Sequence, residues 1–121
     1  KWQIHYPVTH RGCVNSLWAI DEDNLVMVGN DITVFHKGSE THPLVNTSND
    51  LFNQNDCMAV WGVNLNRFWV MDRNGNVAEF KDGQAGKVVV KGNFSIDDNE
   101  VWVSPEGTVY VIAGQRLYRL D

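Results

Sequence analysis

The sequence lacks helical periodicity and long apolar runs. No window in its 121 residues combines apolar side chains at helical spacing with a preceding helix cap. The longest apolar runs, such as residues 25–28 and 88–90, are far shorter than the roughly 20 residues that a membrane-spanning helix needs. These absences argue against a helical fold and against a membrane-spanning helix.

Positive charge and cysteine are also scarce. Ten Lys and Arg residues stand against fifteen Asp and Glu, which gives a net charge of −5. The chain therefore lacks the basic surface that nucleic acid or an anionic membrane requires, and we predict neither as a partner. Two cysteines, Cys13 and Cys57, are too few for a disulfide framework. We expect two partly buried thiols, and a bridge between adjacent repeats is the alternative.

The sequence does contain many short runs of Val, Ile, Trp, Tyr and Phe, separated by Gly, Asn, Asp and Pro. This pattern predicts an all-β fold in a single domain, residues 1–121. At Asn74-Gly75 we expect a tight hairpin turn with positive φ at both central positions. The predicted strands cover residues 2–8, 14–20, 25–28, 32–36, 43–45, 57–63, 67–71, 77–81, 88–91, 100–104, 108–112 and 116–120.

Three tryptophans mark an internal repeat. Trp18, Trp61 and Trp102 recur at intervals of 43 and 41 residues. Repeats of about 40 residues with four strands each are typical of β-propeller blades. The predicted repeats span approximately residues 14–45, 57–91 and 100–121, and the N-terminal strand, residues 2–8, lies outside them. A β-trefoil, which is also built from three four-stranded repeats, is the alternative fold.

Several segments resemble a known blade pattern. VWGV at residues 60–63, WVMDRNGNVAEFKDG at 69–83 and SPEGTVYVIAGQRLYRL at 104–120 resemble the blades of bacterial β-propeller repeat proteins. The resemblance implies four-stranded sheets arranged around a central channel. The Trp-Asp dipeptide of WD repeats, the Asp-box of sialidases and the double Gly of kelch repeats are missing, so none of their activities is carried over.

Three blades are too few for a ring, because propellers have about four or more. We therefore predict a symmetric homodimer that forms one six-bladed propeller, in which the strand at residues 2–8 completes the last blade of the partner. The alternative is that the chain is a piece of a larger propeller.

The polar loop at residues 46–56 predicts a ligand-binding face. In a propeller, connections between blades lie at the same end as the turns between second and third strands. Amides, carboxylates, an arginine and an aromatic ring suit a sugar or peptide ligand, and a flexible polar loop is the alternative. The residues expected there are Asn30, Asp31, Asp50, Phe52, Asn53, Asn55, Arg73 and Asn74. The aligned tryptophans either line the channel and stack on sugars or pack between blades.

No catalytic, metal or cofactor motif stands out. The acidic clusters at residues 21–24 and 97–100 lack EF-hand spacing, the histidines lack zinc spacing, and no serine lies in a G-x-S-x-G elbow. We therefore predict a non-enzymatic, lectin-like binding module with a protein or glycan ligand on the loop face or in the central channel. A hydrolase-like enzyme subunit and a structural part of a larger propeller are the alternatives.

Overall fold

In the part of the chain that the structure describes, twelve strands form three sheets that follow one another in sequence. The computed structural model describes residues 1–2, 12–48, 51–96 and 100–121. This part of the chain contains no helix, so the all-β prediction is confirmed. Residues 3–8 of the predicted N-terminal strand and Asp50 of the predicted site lie outside the described residues.

The first sheet is an antiparallel meander of β1 (Val14–Asp21), β2 (Asn24–Gly29), β3 (Ile32–His36) and β4 (Ser39–Thr41). Lys37 and Gly38 have φ values of 49° and 81°, which is the two-residue hairpin turn in which both central positions are left-handed. Because this turn is so short, the outer strand begins at Ser39. The prediction of an outer strand at residues 43–45 was therefore wrong.

The second sheet runs from the inner strand β6 (Cys57–Asn64) through β7 (Arg67–Asp72) and β8 (Val77–Lys81) to β9 (Gly86–Val90). A fifth strand, β5 (Val45–Asn46), pairs in parallel with β9 at the outer edge. The connection that leaves the first sheet therefore crosses to the far edge of the second sheet before it returns to β6.

The turn between β7 and β8 is longer than predicted. The backbone N–H of Asp72 donates to the carbonyl of Asn76 at 2.9 Å, and that of Gly75 donates to Asp72 at 3.2 Å. Gly75, at φ 80°, is the one loop residue with positive φ, so Asn74-Gly75 is part of a three-residue loop rather than a two-residue turn. The reason is that Asn76 pairs with Asp72 and leaves three residues between them.

The third sheet has three described strands, β10 (Val101–Val103), β11 (Val109–Ala113) and β12 (Arg116–Leu120). Its β10–β11 connection repeats the three-residue loop, with Gly107 at φ 91° and the Ser104 N–H 2.8 Å from the Thr108 carbonyl. Neighbouring sheets approach each other through their inner strands, β1 with β6 and β6 with β10.

Two apolar layers hold the sheets together. Alternate side chains of a strand point to opposite faces, so Val60 enters the layer between the first and second sheets and Trp61 enters the layer between the second and third. The second sheet is therefore buried on both faces, which explains the nearly continuous apolar run of β6. The first and third sheets each contribute one face to these layers.

Candidate functional site

A cavity of about 940 Å³ lies along the inner strands β1, β6 and β10. The aligned tryptophans of the three repeats, Trp18, Trp61 and Trp102, all contribute to its wall, as does Trp69 of β7. The carboxylates of Glu106 and Asp121 also line it. The cavity thus combines several indole rings with acidic groups.

The three aligned tryptophans differ in burial. Trp18 packs between the first and second sheets, with its ring centroid 6.5 Å from that of Phe68. Trp61 is only 8% exposed and lies in the layer between the second and third sheets. Trp102 is 59% exposed, and its ring centroid lies 5.8 Å from that of Tyr110. Trp18 and Trp61 therefore pack between sheets as well as lining the cavity.

The fourth indole, Trp69, is fixed by its neighbours. Its Nε1–H donates to Oε2 of Glu79 at 3.1 Å, and the guanidinium carbon of Arg67 lies 5.2 Å from the ring centroid. Nη2 of Arg67 lies 3.7 Å from the same oxygen of Glu79. An indole whose N–H is paired and whose face carries a cation holds its orientation, so this wall of the cavity is preorganised.

The β10–β11 loop presents one carboxylate at the cavity. Oγ of the buried Ser104 accepts a hydrogen bond from the Thr108 N–H at 3.0 Å, which fixes the base of the loop. Glu106, at its tip, is exposed. The other acidic group, Asp121, pairs with Nε of Arg119 at 3.0 Å. Glu106 is therefore the carboxylate that is more available to a ligand.

The opposite end of the sheets is organised by a buried carboxylate. Asp72, at the end of β7, is fully buried. Its side chain accepts hydrogen bonds from the backbone N–H groups of Asn53, Asn74 and Asn76 at 2.9–3.0 Å, and from the Asn76 amide at 2.9 Å. These contacts tie residues 51–56 to the β7–β8 turn. Sequence analysis missed Asp72, although an Asp followed by Asn at two and four positions is the pattern that forms such contacts.

Two of the charged residues predicted for this loop face, Arg73 and Asp31, have internal partners. Nε of Arg73 lies 2.7 Å from Oδ2 of Asp56, and its Nη1–H donates to the Ile96 carbonyl at 2.8 Å. Asp31 contacts Nδ1 of His42 at 2.8 Å and accepts the Ile32 N–H at 2.8 Å. Both side chains therefore stabilise the connections between strands.

The asparagines reach the same end of the sheets, but Phe52 lies in the core. Nδ2 of Asn30 donates to the Asn55 carbonyl at 3.1 Å, and Oδ1 of Asn53 accepts the Asn55 N–H at 3.1 Å. Within the described part of the chain, the side-chain amides of Asn55 and Asn74 are exposed and make no hydrogen bond. Phe52 is buried in the layer between the first and second sheets, so the ring predicted for the surface packs internally.

The two cysteines are in different environments. Cys13 is exposed and Cys57 is fully buried, and no disulfide joins them. Burial, together with the nearby carboxylates of Asp72 and Asp56, raises the pKa of the Cys57 thiol well above its usual range. The thiol of Cys57 is therefore protonated and shielded, and it has the character of a core residue rather than a nucleophile.

Among residues 12–48, 51–96 and 100–121, no three His, Cys, Asp or Glu side chains are grouped so as to hold a metal ion. The described residues form no helix that is long and apolar enough to span a membrane. In comparisons with known proteins, no family model, no curated protein and no solved structure matches this chain.

Proposed function

We propose that the chain is a non-enzymatic, lectin-like module that binds a carbohydrate in the tryptophan-lined cavity. The observation that carries the proposal is the convergence of four indole rings on one cavity of about 940 Å³. Indoles stack on the apolar faces of sugar rings, and a carboxylate such as that of Glu106 accepts hydrogen bonds from sugar hydroxyls. The volume lies in the range of roughly 300–1,000 Å³ of small-molecule sites.

The sheet arrangement supports a β-propeller origin for this cavity. Three sheets follow one another, and residues of their inner strands β1, β6 and β10 line one shared space. In a propeller that space is the central channel. This arrangement favours propeller blades over the β-trefoil alternative.

Tryptophan fluorescence tests the proposal, because the cavity contains four of the indoles. We expect a saturable change on titration with a panel of oligosaccharides. Glu106→Gln should weaken binding about tenfold, which corresponds to about 1.4 kcal/mol, whereas Glu22→Gln, in the exposed β1–β2 turn outside the cavity wall, should have no effect. A panel without any saturable binder, or equal affinity in both variants, would contradict the proposal.

The same titration addresses the enzyme alternative. Glu106 and Asp121 are two carboxylates at one cavity, which are the groups that glycoside hydrolysis needs. Chromatography of the mixture after prolonged incubation shows whether the oligosaccharide stays intact. We expect no cleavage, and release of shorter sugars would assign the chain to the hydrolase class.

The loop end is a second candidate, for a protein ligand. The exposed amides of Asn55 and Asn74 lie over backbone that the buried Asp72 holds in place. A rigid display of amides suits hydrogen bonding to an extended peptide. Asn74→Ala should weaken binding of a peptide ligand and leave the sugar titration unchanged. Unchanged peptide binding together with a weakened sugar titration would exclude this surface.

A further inference from the structure

The second sheet packs against the third through a set of cross-strand apolar pairs. The outward face of the third sheet has the same set of pairs. We call the face that each sheet turns towards the next one its forward face. On the second sheet, two cross-strand pairs form it, Trp61 with Trp69 and Met71 with Val77. On the third sheet, the same register gives Trp102 with Tyr110 and Ile112 with Leu117.

The first sheet has the same two cross-strand apolar pairs on its forward face. Its register places Trp18 opposite Val26 and Val28 opposite Ile32. All four side chains pack in the layer against the second sheet. One arrangement of apolar pairs therefore makes both joints within the chain.

Exposure separates the third sheet from the others. Met71 is 3% exposed and Val77 is 1% exposed in the joint between the second and third sheets. At the equivalent positions, Ile112 is 45% exposed and Leu117 is 67% exposed. The third sheet thus has the apolar side chains of a joint on a face that no described residue covers. An exposed apolar patch with an aromatic pair is typical of the centre of a protein interface.

The complementary half of the joint lies on the first sheet. The backward face of the second sheet contains Val60, which pairs with Val70. The equivalent pair on the first sheet is Leu17 with Met27, and Leu17 is 57% exposed. Thr33 and Phe35, farther out on this face, are buried, so its open part lies at the inner strands. That is the region through which neighbouring sheets approach each other in both internal joints.

We propose that the forward face of the third sheet docks on the backward face of the first sheet of a second copy of this chain. The two copies exchange these contacts reciprocally and form two identical joints. A second copy is the occupant because one chain carries both halves of the joint. Propellers typically have about 4–8 blades, and six is the one multiple of three in that range, so two copies close the ring. The step from two copies to a closed ring rests on the propeller arrangement proposed above. It does not require sugar binding, although Trp102 and Leu17 of the docking faces also line the cavity.

Light scattering on a sizing column tests the docking surface. We expect the wild-type chain to have twice the monomer mass of 13.7 kDa. Leu117→Lys places a charge in the joint and should raise the dissociation constant about a hundredfold or more. The matched control is Leu44→Lys, because Leu44 is 62% exposed but lies in the connection after the first sheet, and this variant should remain a dimer. Circular dichroism confirms that each variant is folded.

A mixing experiment identifies the partner surface. Leu17→Glu alone should also be monomeric, because it alters the other half of the same joint. A mixture of Leu17→Glu and Leu117→Lys chains should form a heterodimer, in which one joint is wild type and the other contains both substitutions, with opposite charges. A monomeric wild type, a dimeric Leu17→Glu, or a mass above two chains would overturn the proposal.

Discussion

At the residue scale, the two cysteines show how the sheet layers control chemistry. Cys57 begins the inner strand of the second sheet, with its Sγ 3.5 Å from the Gln54 carbonyl, and burial raises its pKa. A raised pKa lowers the thiolate fraction, and only the thiolate reacts with alkylating reagents. Cys13, before β1, is exposed.

We therefore expect iodoacetamide at pH 8 to modify Cys13 and to leave Cys57 intact until the chain unfolds. Mass spectrometry of the labelled peptides measures both rates. Raising the pH should not make Cys57 reactive below the pH at which the fold is lost, because its pKa is raised rather than lowered. Equal labelling of the two thiols in the folded chain would contradict the buried position of Cys57.

At the element scale, the β7–β8 turn and the preceding loop depend on one carboxylate. Asp72→Asn replaces an acceptor of four hydrogen bonds with an amide whose NH₂ group faces donors. We expect a loss of about 3 kcal/mol in the free energy of unfolding, measured by urea denaturation. Asp82→Asn is the control, since Asp82 is exposed in a turn at φ 54°, which Asn also adopts, and its effect should stay within about 0.5 kcal/mol.

At Gly75 the same turn also packs against Phe94, which lies in the connection to the third sheet. A Cβ at Gly75 would lie 2.7 Å from the ring of Phe94, which stacks on Tyr118 at a centroid distance of 4.6 Å. Gly83 has a similar φ of 73°, but a Cβ there would meet nothing within 4 Å. Gly75→Ala should therefore cost at least about 1 kcal/mol more than Gly83→Ala in thermal or urea unfolding. Equal costs would show that the Phe94 ring moves aside freely.

Strand content at this scale follows from the sequence where side-chain alternation is strong. The residues 32–36, 77–81 and 116–120 form strands with the predicted bounds, because apolar side chains and turn residues agree there. Ser39–Thr41 is polar and Val45–Asn46 is only two residues long, so neither segment has a strand pattern of its own. Each is a strand because it pairs with a neighbouring strand, β3 and β9 respectively. Phe52 looked like a surface ring because the loop around it is polar apart from Leu51, whereas in the fold it is buried in a cluster with side chains of the first and second sheets.

The tryptophan cavity could be predicted only in part from the sequence. The spacing of Trp18, Trp61 and Trp102 predicts equivalent positions on inner strands, and the cavity contains all three. The spacing does not give their exposure, which depends on whether another sheet follows. Three of the four hydrogen bonds to Asp72 come from Asn74 and Asn76 and follow a local sequence pattern, whereas the bond from the Asn53 N–H joins residues 19 positions apart, which no local pattern predicts.

At the scale of the whole molecule, the sheets differ in how well they are enclosed. The second sheet is buried on both faces, and the third sheet has three described strands and an open forward face. In the monomeric Leu117→Lys variant, we expect backbone amides of β11 and β12 to exchange with deuterium at least about tenfold faster than those of β7 and β8. Equal exchange rates would mean that all three sheets open together.

The parallel strand β5 has a consequence for how the molecule comes apart. Val45 and Asn46 belong to the connection that leaves the first sheet, yet they pair with Gly86 and Lys87 at the rim of the second. Pulling the first sheet away therefore requires breaking this rim pairing as well as the apolar layer. No comparable strand pairing links the second sheet to the described part of the third. The first two sheets thus form one mechanical unit, and under load the third sheet should detach first.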